Sequence, residues 1–325
     1  MRNLLPLVLV VVLLLGSSYP RDSYLDERTN TEIVFHTEGQ IFPKHWYNPK
    51  IDATVEALSP TERSRIITIL NRAFSKYPDH VLRRHLDRVY ASAATLRMQP
   101  PLDREPLRQV LREAVVRNRD AGLSGDLIID IIFSGGLAGS TLKQSGKGAF
   151  LYLAIQNLDP PPPDAYEKGM VLATHLHQRI YADVKLLNYV GAILAHQTVV
   201  PQFQADDVVF VHPEDRQTIL EGSTFTVFFV NDGGEVLTPP LDGRILNSIT
   251  RRVVLELLRP RPEFTVREVP VYVSQLPELR EAFMVSTSRD VVPVTRIDAT
   301  VIGDGKPGPV TKSIMNAFRD YLASY

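Results

Sequence analysis

The amino-acid sequence predicts an α+β fold arranged as two domains. From residue 127 onward, short apolar runs typical of β-strands alternate with stretches that have helical periodicity. A proline-rich segment, residues 159–164, interrupts this alternation and predicts a stiff linker between the domains. The composition, 44% hydrophobic and 22% charged, is typical of a globular chain that can bury a sizeable core.

Charge and cysteine content exclude several classes of function. The 325-residue chain has a net charge of −1, which gives no electrostatic attraction to nucleic acid, so we predict no such partner. The absence of cysteine excludes disulfide frameworks, thiol nucleophiles and cysteine-based metal sites. His175 and His177 could share one face of a strand, but two imidazoles without a third ligand make a weak metal site. We therefore predict no metal.

Residues 1–18 form a segment with its own character. Arg2 precedes an apolar run over residues 4–15, and small residues follow the run. The run is shorter than the ~20 residues that span a bilayer, so it predicts a signal- or anchor-like segment. Any membrane contact would then be confined to residues 4–15. The alternative interpretation of this run is a buried core strand.

Residues 19–84 form an N-terminal region that we expect to be irregular apart from one helix. Residues 19–58 are polar and show no sustained alternation, so we expect no strand pair there. Ser59, Pro60 and Glu62 fit a capping box with proline at the first helical position, which predicts a helix over about residues 60–76.

The rest of the chain can be divided into helices and strands by periodicity. The predicted helices cover about residues 79–90, 103–121, 186–196, 249–258 and 310–322. The predicted strands cover about residues 127–133, 149–155, 170–174, 207–211, 224–230, 265–271, 282–285 and 292–297. We therefore predict a small α/β domain over residues 85–158, the linker, and a large domain over residues 165–325.

Three features of the large domain could hold an anionic cofactor. Lys185 stands between a polar loop and an apolar helix, where a lysine can point into a cleft, although a solvated lysine is the commoner case. Glu221 precedes a glycine at the entry to an apolar strand, where a carboxylate is costly without a partner such as a pyridinium nitrogen. Residues 243–251 lead from a loop into a helix N-terminus, whose amides and dipole favour a phosphate.

Several segments together resemble the fold-type IV pyridoxal-phosphate enzymes. This class contains branched-chain and D-amino-acid aminotransferases, R-selective amine transaminases and aminodeoxychorismate lyases. The segments that carry the resemblance are residues 85–93, 183–197, 221–230, 238–243, 245–251, 281–297 and 302–311. The resemblance covers roughly residues 85–325. Because residues 1–84 do not resemble the strand pair with which family members begin, we predict an atypical N-terminus.

The resemblance implies a role for each matching residue. Lys185 would bind pyridoxal 5'-phosphate covalently and move a proton during catalysis, while Glu221 would pair with the pyridine nitrogen. Thr287 and Ser288 would contact the substrate carboxylate. The cofactor phosphate would be held by Arg88, Ile249, Thr250 and Thr287. The ring oxygen of the cofactor would be held by Tyr189.

The resemblance also implies a reaction. We expect a class IV aminotransferase that moves an amino group between an amino acid, with branched-chain ones the first choice, and a 2-oxo acid. Two alternatives stay open: a rearranged family member without catalysis, and a pyridoxal-phosphate lyase of the aminodeoxychorismate type. The family resemblance implies a homodimer in the cytoplasm, whereas the N-terminal segment indicates export or membrane association.

Overall fold

A computed structural model describes residues 7–14, 24–26, 31–37, 79–100, 102–135 and 150–324. The chain divides into two compact units, one up to Leu158 and the other from Asp159 to Ser324. The helix predicted over residues 60–76 lies outside the described residues. In the described part of the chain, no helix is long and apolar enough to cross a membrane.

The first unit is built on a five-stranded sheet. Its strands, in chain order, are β1 (Leu7–Leu14), β2 (Tyr24–Asp26), β3 (Thr31–Thr37), β4 (Leu127–Ser134) and β5 (Phe150–Asn157). Their spatial order is β1-β4-β5-β3-β2. β1 pairs in parallel with β4, and β3 with β5, whereas β4 and β5 are antiparallel. The helices α1 (Asp79–Thr95) and α2 (Arg104–Asp120) belong to the same unit.

One expectation about the N-terminal region differs from the structure. The expectation of no strand pair in residues 19–58 was wrong, because β2 and β3 form an antiparallel pair that joins the sheet through β5. The β-branched and aromatic residues of β3 favour a strand once a neighbour pairs with it, a stabilisation that periodicity does not report. β1 lies within the apolar run of residues 4–15, so this segment forms a strand, as the alternative interpretation of the run predicts. A strand paired in parallel is often continuously apolar, so its sequence resembles that of a leader.

The second unit contains a nine-stranded sheet. Its strands are β6 (Met170–Leu176), β7 (Asp207–Val211), β8 (Ile219–Gly222), β9 (Thr226–Val230), β10 (Val236–Thr238), β11 (Val266–Glu268), β12 (Glu281–Ser286), β13 (Asp290–Ile297) and β14 (Thr300–Val301). The spatial order is β11-β10-β9-β12-β13-β6-β7-β8, and β14 pairs with β13. β6 is parallel to both β13 and β7.

Five helical segments accompany this sheet. They are α3 (Pro163–Lys168), α4 (Val190–Phe203), α5 (Ile249–Leu258), a 3-10 helix (Val273–Glu278) and α6 (Pro309–Ala323). α3 occupies the end of the predicted linker, because proline fits the first turn of a helix as well as an extended segment. α4 begins at Val190 rather than near residue 186, which leaves Lys185 on a loop.

Apolar side chains pack on both faces of the second sheet because neighbouring residues of a strand point to opposite faces. Val227 and Phe229 belong to one core cluster, whereas Phe228 belongs to another and stacks on Phe283 with ring centres 4.9 Å apart. The second cluster includes residues of α5 and α6, and a third packs α4 against β6 and β7. This packing holds α4 and α5 against the sheet.

Candidate active site

Lys185 lies on the loop just before α4 and is buried, with 8% of its surface exposed. Its Nζ donates a hydrogen bond of 2.7 Å to the hydroxyl of Tyr189 and lies 5.3 Å from the centre of that ring. Tyr189 is the residue immediately before the first turn of α4. The start of α4 therefore fixes the position of a lysine amine, a group that can bond covalently to a carbonyl compound.

Glu221 lies on β8, and its carboxylate is buried among polar partners. Its Oε1 accepts hydrogen bonds from Nε and Nη2 of Arg179, at 2.8 and 2.5 Å. Its Oε2 accepts one from the backbone N–H of Leu246, at 3.1 Å. A carboxylate offers about four acceptor positions, so Oε2 can accept one further hydrogen bond. A protonated ring nitrogen is a donor of the kind that would fit.

Glu221 links two loops of the predicted site. Its partner Arg179 also donates to the carbonyl of Ala182 at 2.9 Å, three residues before Lys185. Leu246 lies in the loop that leads into α5. A continuous set of contacts thus runs from the lysine loop, through Arg179 and Glu221, to the segment before α5. Sequence reasoning missed Arg179, because nothing in its local sequence distinguishes it from a solvated arginine.

The first turn of α5 and the turn between β12 and β13 bring hydroxyl groups together. Ser248 precedes the helix, and its Oγ accepts from the N–H of Arg251 at 3.3 Å. Thr250, in the first turn, has its Oγ1 3.4 Å from Oγ1 of Thr287 in the β12–β13 turn. The first amides of a helix have no partner within the helix. Hydroxyls and amides at a helix start are a suitable environment for a phosphate.

The predicted site residues divide between the two units. Arg88 is half-buried on α1 of the first unit. The remaining predicted residues belong to the second unit and are Lys185, Tyr189, Glu221, Ile249, Thr250, Thr287 and Ser288. Ile249 begins α5 beside Thr250, and Ser288 follows Thr287, with its Oγ 3.5 Å from that of Ser286. The role of Arg88 at the phosphate stays a prediction from the resemblance.

Sequence reasoning also missed a buried ionic cluster around Asp207, the fully buried first residue of β7. Its Oδ1 accepts from the hydroxyl of Ser223 at 2.7 Å, from the N–H of Val208 at 2.7 Å, and lies 2.9 Å from Nε2 of His196. Its Oδ2 accepts a hydrogen bond from Nη1 of Arg289 at 2.6 Å. Burial alone would raise the pKa of Asp207, but these hydrogen bonds and the Arg289 charge hold the pKa below its usual value.

His175 and His177 pack against each other and against Phe210. Their rings lie 6.1 Å apart and stack, and His177 meets Phe210 edge to face at 4.8 Å. Burial lowers the pKa of both imidazoles. Within the described ranges there is no group of three or more metal-binding side chains.

Comparison with known proteins places the chain among enzymes. The profile of the class IV amino-transferase family matches residues 75–297. A branched-chain-amino-acid aminotransferase of Pseudomonas aeruginosa is 27% identical over 253 residues, which covers 74% of this chain and 78% of that protein. A D-alanine aminotransferase of Listeria innocua is 27% identical over 258 residues, covering 78% and 84% of the two chains.

A solved structure gives the same relationship. A branched-chain amino acid aminotransferase from the organism abbreviated T.th., crystallised with pyridoxamine 5'-phosphate, has a TM-score of 0.66 and 27% identity. The alignment covers 75% of this chain and 79% of that structure. Because the family profile extends through both units and includes every predicted site residue, the chain belongs to the class IV aminotransferases.

Proposed function

We propose that this aminotransferase holds pyridoxal 5'-phosphate on Lys185 and moves an amino group from an apolar amino acid to a 2-oxo acid. One observation carries the proposal: the buried amine of Lys185, which donates a hydrogen bond to Tyr189, lies in the same unit as the buried carboxylate of Glu221. The T.th. relative, which holds the amine form of this cofactor, supports the same cofactor here.

The polar groups of the second unit fit the three polar parts of this cofactor. The Lys185 amine suits the aldehyde carbon, the remaining acceptor position of Glu221 suits the ring nitrogen, and the start of α5 with Thr250 and Thr287 suits the phosphate. When bound, the cofactor supplies an electron sink that stabilises negative charge on the carbon bearing the amino group.

The protein's own residues would then position charge and move protons. Lys185 would take a proton from the substrate carbon and return one, as a general base and acid. Tyr189 would fix the amine, since its hydroxyl already accepts from Nζ. Glu221 would keep a proton on the ring nitrogen. Arg179 would limit rotation of the carboxylate, because two of its nitrogens bond to the same oxygen.

The names of the relatives support a substrate with an uncharged side chain. They are named for branched-chain amino acids or for D-alanine, all of which have apolar side chains. L-leucine, L-valine and D-alanine, each supplied with 2-oxoglutarate, would separate the two stereochemical classes. Formation of glutamate that requires 2-oxoglutarate would support transfer. The lyase alternative requires a substrate with a leaving group, so release of pyruvate from aminodeoxychorismate without a 2-oxo acid would support it. No turnover of any of these compounds would support the non-catalytic alternative.

We also infer that the enzyme is a homodimer. Val190, Ile193 and Leu194 share a face of α4 by their spacing, and each is at least 53% exposed. Ile180 and Tyr181 on the preceding loop are also exposed. Exposed apolar side chains in such numbers are typical of protein interfaces, and a second copy of the chain would cover them.

Export directed by residues 1–18 stays a prediction, which N-terminal sequencing of the mature protein would test.

Chemical labelling tests the central assignment. Borohydride treatment in the presence of pyridoxal phosphate should leave the cofactor attached to the peptide that contains Lys185. The Lys185→Ala variant should lose both this attachment and amino-group transfer, because no other amine would occupy its position. Lys168→Ala is the matched control, since Lys168 is an exposed lysine that forms a salt bridge with Asp164. Labelling at another lysine, together with an active Lys185→Ala enzyme, would reject the assignment.

A further inference from the structure

We propose that Asp207 is a positioning residue that holds two ends of the cofactor site at a fixed separation. This inference rests on the proposed function, because the two ends are those assigned to the ring nitrogen and to the phosphate. Asp207 acts through Ser223 and Arg289 rather than by touching the cofactor.

The two oxygens of Asp207 hold two different segments of the site. Oδ1 accepts from the hydroxyl of Ser223, which lies two residues after Glu221. Oδ2 accepts from the guanidinium of Arg289, which lies two residues after Thr287. One carboxylate therefore connects the end of β8, next to the ring-nitrogen residue, with the β12–β13 turn, next to the phosphate and substrate residue.

Asp207 is itself held rigidly. It begins β7, all five residues of which are buried, and β7 pairs with β6 on one side and β8 on the other. Its own Oδ1 accepts from the N–H of Val208. His196, on α4, adds a third connection, to the helix that begins directly after Tyr189. A buried group with this many partners cannot move without breaking several hydrogen bonds.

A second contact joins the same two segments. The Arg289 guanidinium lies 6.0 Å from the centre of the Phe225 ring. Phe225 in turn packs so closely on Gly222 that a side-chain carbon there would lie 2.1 Å from the ring. The N–H of Gly222 also donates to the carbonyl of Phe225, at 2.8 Å. Arg289 thus meets both the carboxylate that holds Ser223 and the ring that packs on Gly222, the residue next to Glu221.

The Asp207→Asn variant tests the proposal with little change in shape. The amide oxygen can still accept from Ser223, but the amide nitrogen replaces Oδ2 and cannot accept from Arg289. The β12–β13 turn would lose its connection to β7. We expect the dissociation constant for pyridoxal phosphate, measured by absorbance titration, to rise about tenfold or more, since small displacements of binding groups have effects of this size.

Two further variants separate positioning from general loss of stability. Asp298→Asn is the matched control. The Asp298 carboxylate accepts hydrogen bonds from the N–H and the hydroxyl of Thr174 in the same unit, and we expect this variant to have wild-type cofactor affinity. In the double variant Asp207→Asn/Arg289→Gln, the half-buried charge that would be left without its carboxylate is removed. We expect its melting temperature to return toward the wild-type value while cofactor affinity stays weak, because the connection is still absent.

The outcomes distinguish the inference from the function on which it rests. Wild-type protein that takes up no pyridoxal phosphate would reject the proposed function and this inference together. Wild-type binding with an unchanged dissociation constant in Asp207→Asn would reject the inference alone. Recovery of both stability and affinity in the double variant would also reject it, since Asp207 would then serve stability and not position.

Discussion

Both carboxylate oxygens of Glu221 are bound by the protein itself, one by Arg179 and the other by the backbone of Leu246. Glu221→Gln keeps the size of the side chain and an oxygen acceptor but removes the negative charge. We expect pyridoxal phosphate to stay bound, because the lysine and phosphate contacts remain. We expect amino-group transfer to fall about a hundredfold or more, because a neutral amide cannot keep the ring nitrogen protonated.

Steady-state transfer rates and a cofactor titration on the same protein sample measure both effects. Glu214→Gln is a suitable control, since Glu214 is an exposed glutamate in the same unit. Unchanged turnover in Glu221→Gln would contradict the role given to this carboxylate.

His196 gives the molecule a predictable dependence on pH. Its hydrogen bond to Asp207 raises the pKa of the imidazole above its usual 6.5. A raised pKa in the folded state adds stability that is fully present below the unfolded-state value and is lost as the pH rises through the folded-state value. The free energy of unfolding should therefore fall from about pH 6 to about pH 8.5, and this fall should be smaller in His196→Gln.

Urea unfolding at both pH values provides the measurement. His175→Gln is an informative comparison, because burial lowers the pKa of His175 and its contribution to stability is lost toward low pH instead. An identical pH dependence in wild type and His196→Gln would contradict the expectation.

At the scale of secondary-structure elements, the structure explains the glycine- and proline-rich loop of residues 303–309, which leads into α6. Glu281, buried on β12, accepts from the N–H groups of Val310 and Thr311 in the first turn of α6, at 3.0 and 2.6 Å. A side-chain carbon at Gly308 would lie 2.1 Å from the Glu281 carboxyl carbon. The loop therefore needs glycine there so that a carboxylate from the sheet can cap the helix.

This capping contact can be tested by urea unfolding. Glu281→Gln removes the charge from the helix N-terminus, so we expect a loss of about 1–2 kcal/mol in the free energy of unfolding. Gly308→Ala should also destabilise the protein, because the new methyl group would meet the Glu281 side chain. Glu278→Gln, at an exposed position at the end of the 3-10 helix, should have little effect. Equal stability of Glu281→Gln and Glu278→Gln would exclude the capping role.

At the scale of the whole molecule, the exposed face of α4 predicts self-association. Ile193 is 53% exposed, so Ile193→Lys should leave the fold intact while it places a charge within the proposed interface. We expect the variant to sediment as a monomer under conditions in which the wild type is a dimer. Val301→Lys, an equally exposed position on β14, is the control. A wild-type monomer would contradict the homodimer, and a dimeric Ile193→Lys would exclude this face of α4 as the interface.

The sequence by itself determined the family, the α+β fold and the reaction class, and the comparisons confirm all three. These properties depend on local chemistry that a short segment carries. Examples are the helix start at Ile249, which the structure places at the predicted residue, and the apolar run of β7. The residue roles and the substrate stay predictions, because they depend on how separate segments meet a ligand.

Tertiary structure alone decided the partners of the buried charges. Arg179 and Glu221 are 42 residues apart in the chain, and Asp207 and Arg289 are 82 apart, so no periodicity or motif links either pair. β3 likewise depends on a distant segment, because its weak alternation does not predict a strand and its strand is stabilised by pairing with β5. Local patterns report which residue types favour a helix, a strand or a cap. Which charge neutralises which depends on contacts between distant segments, and these form only when the sheet assembles.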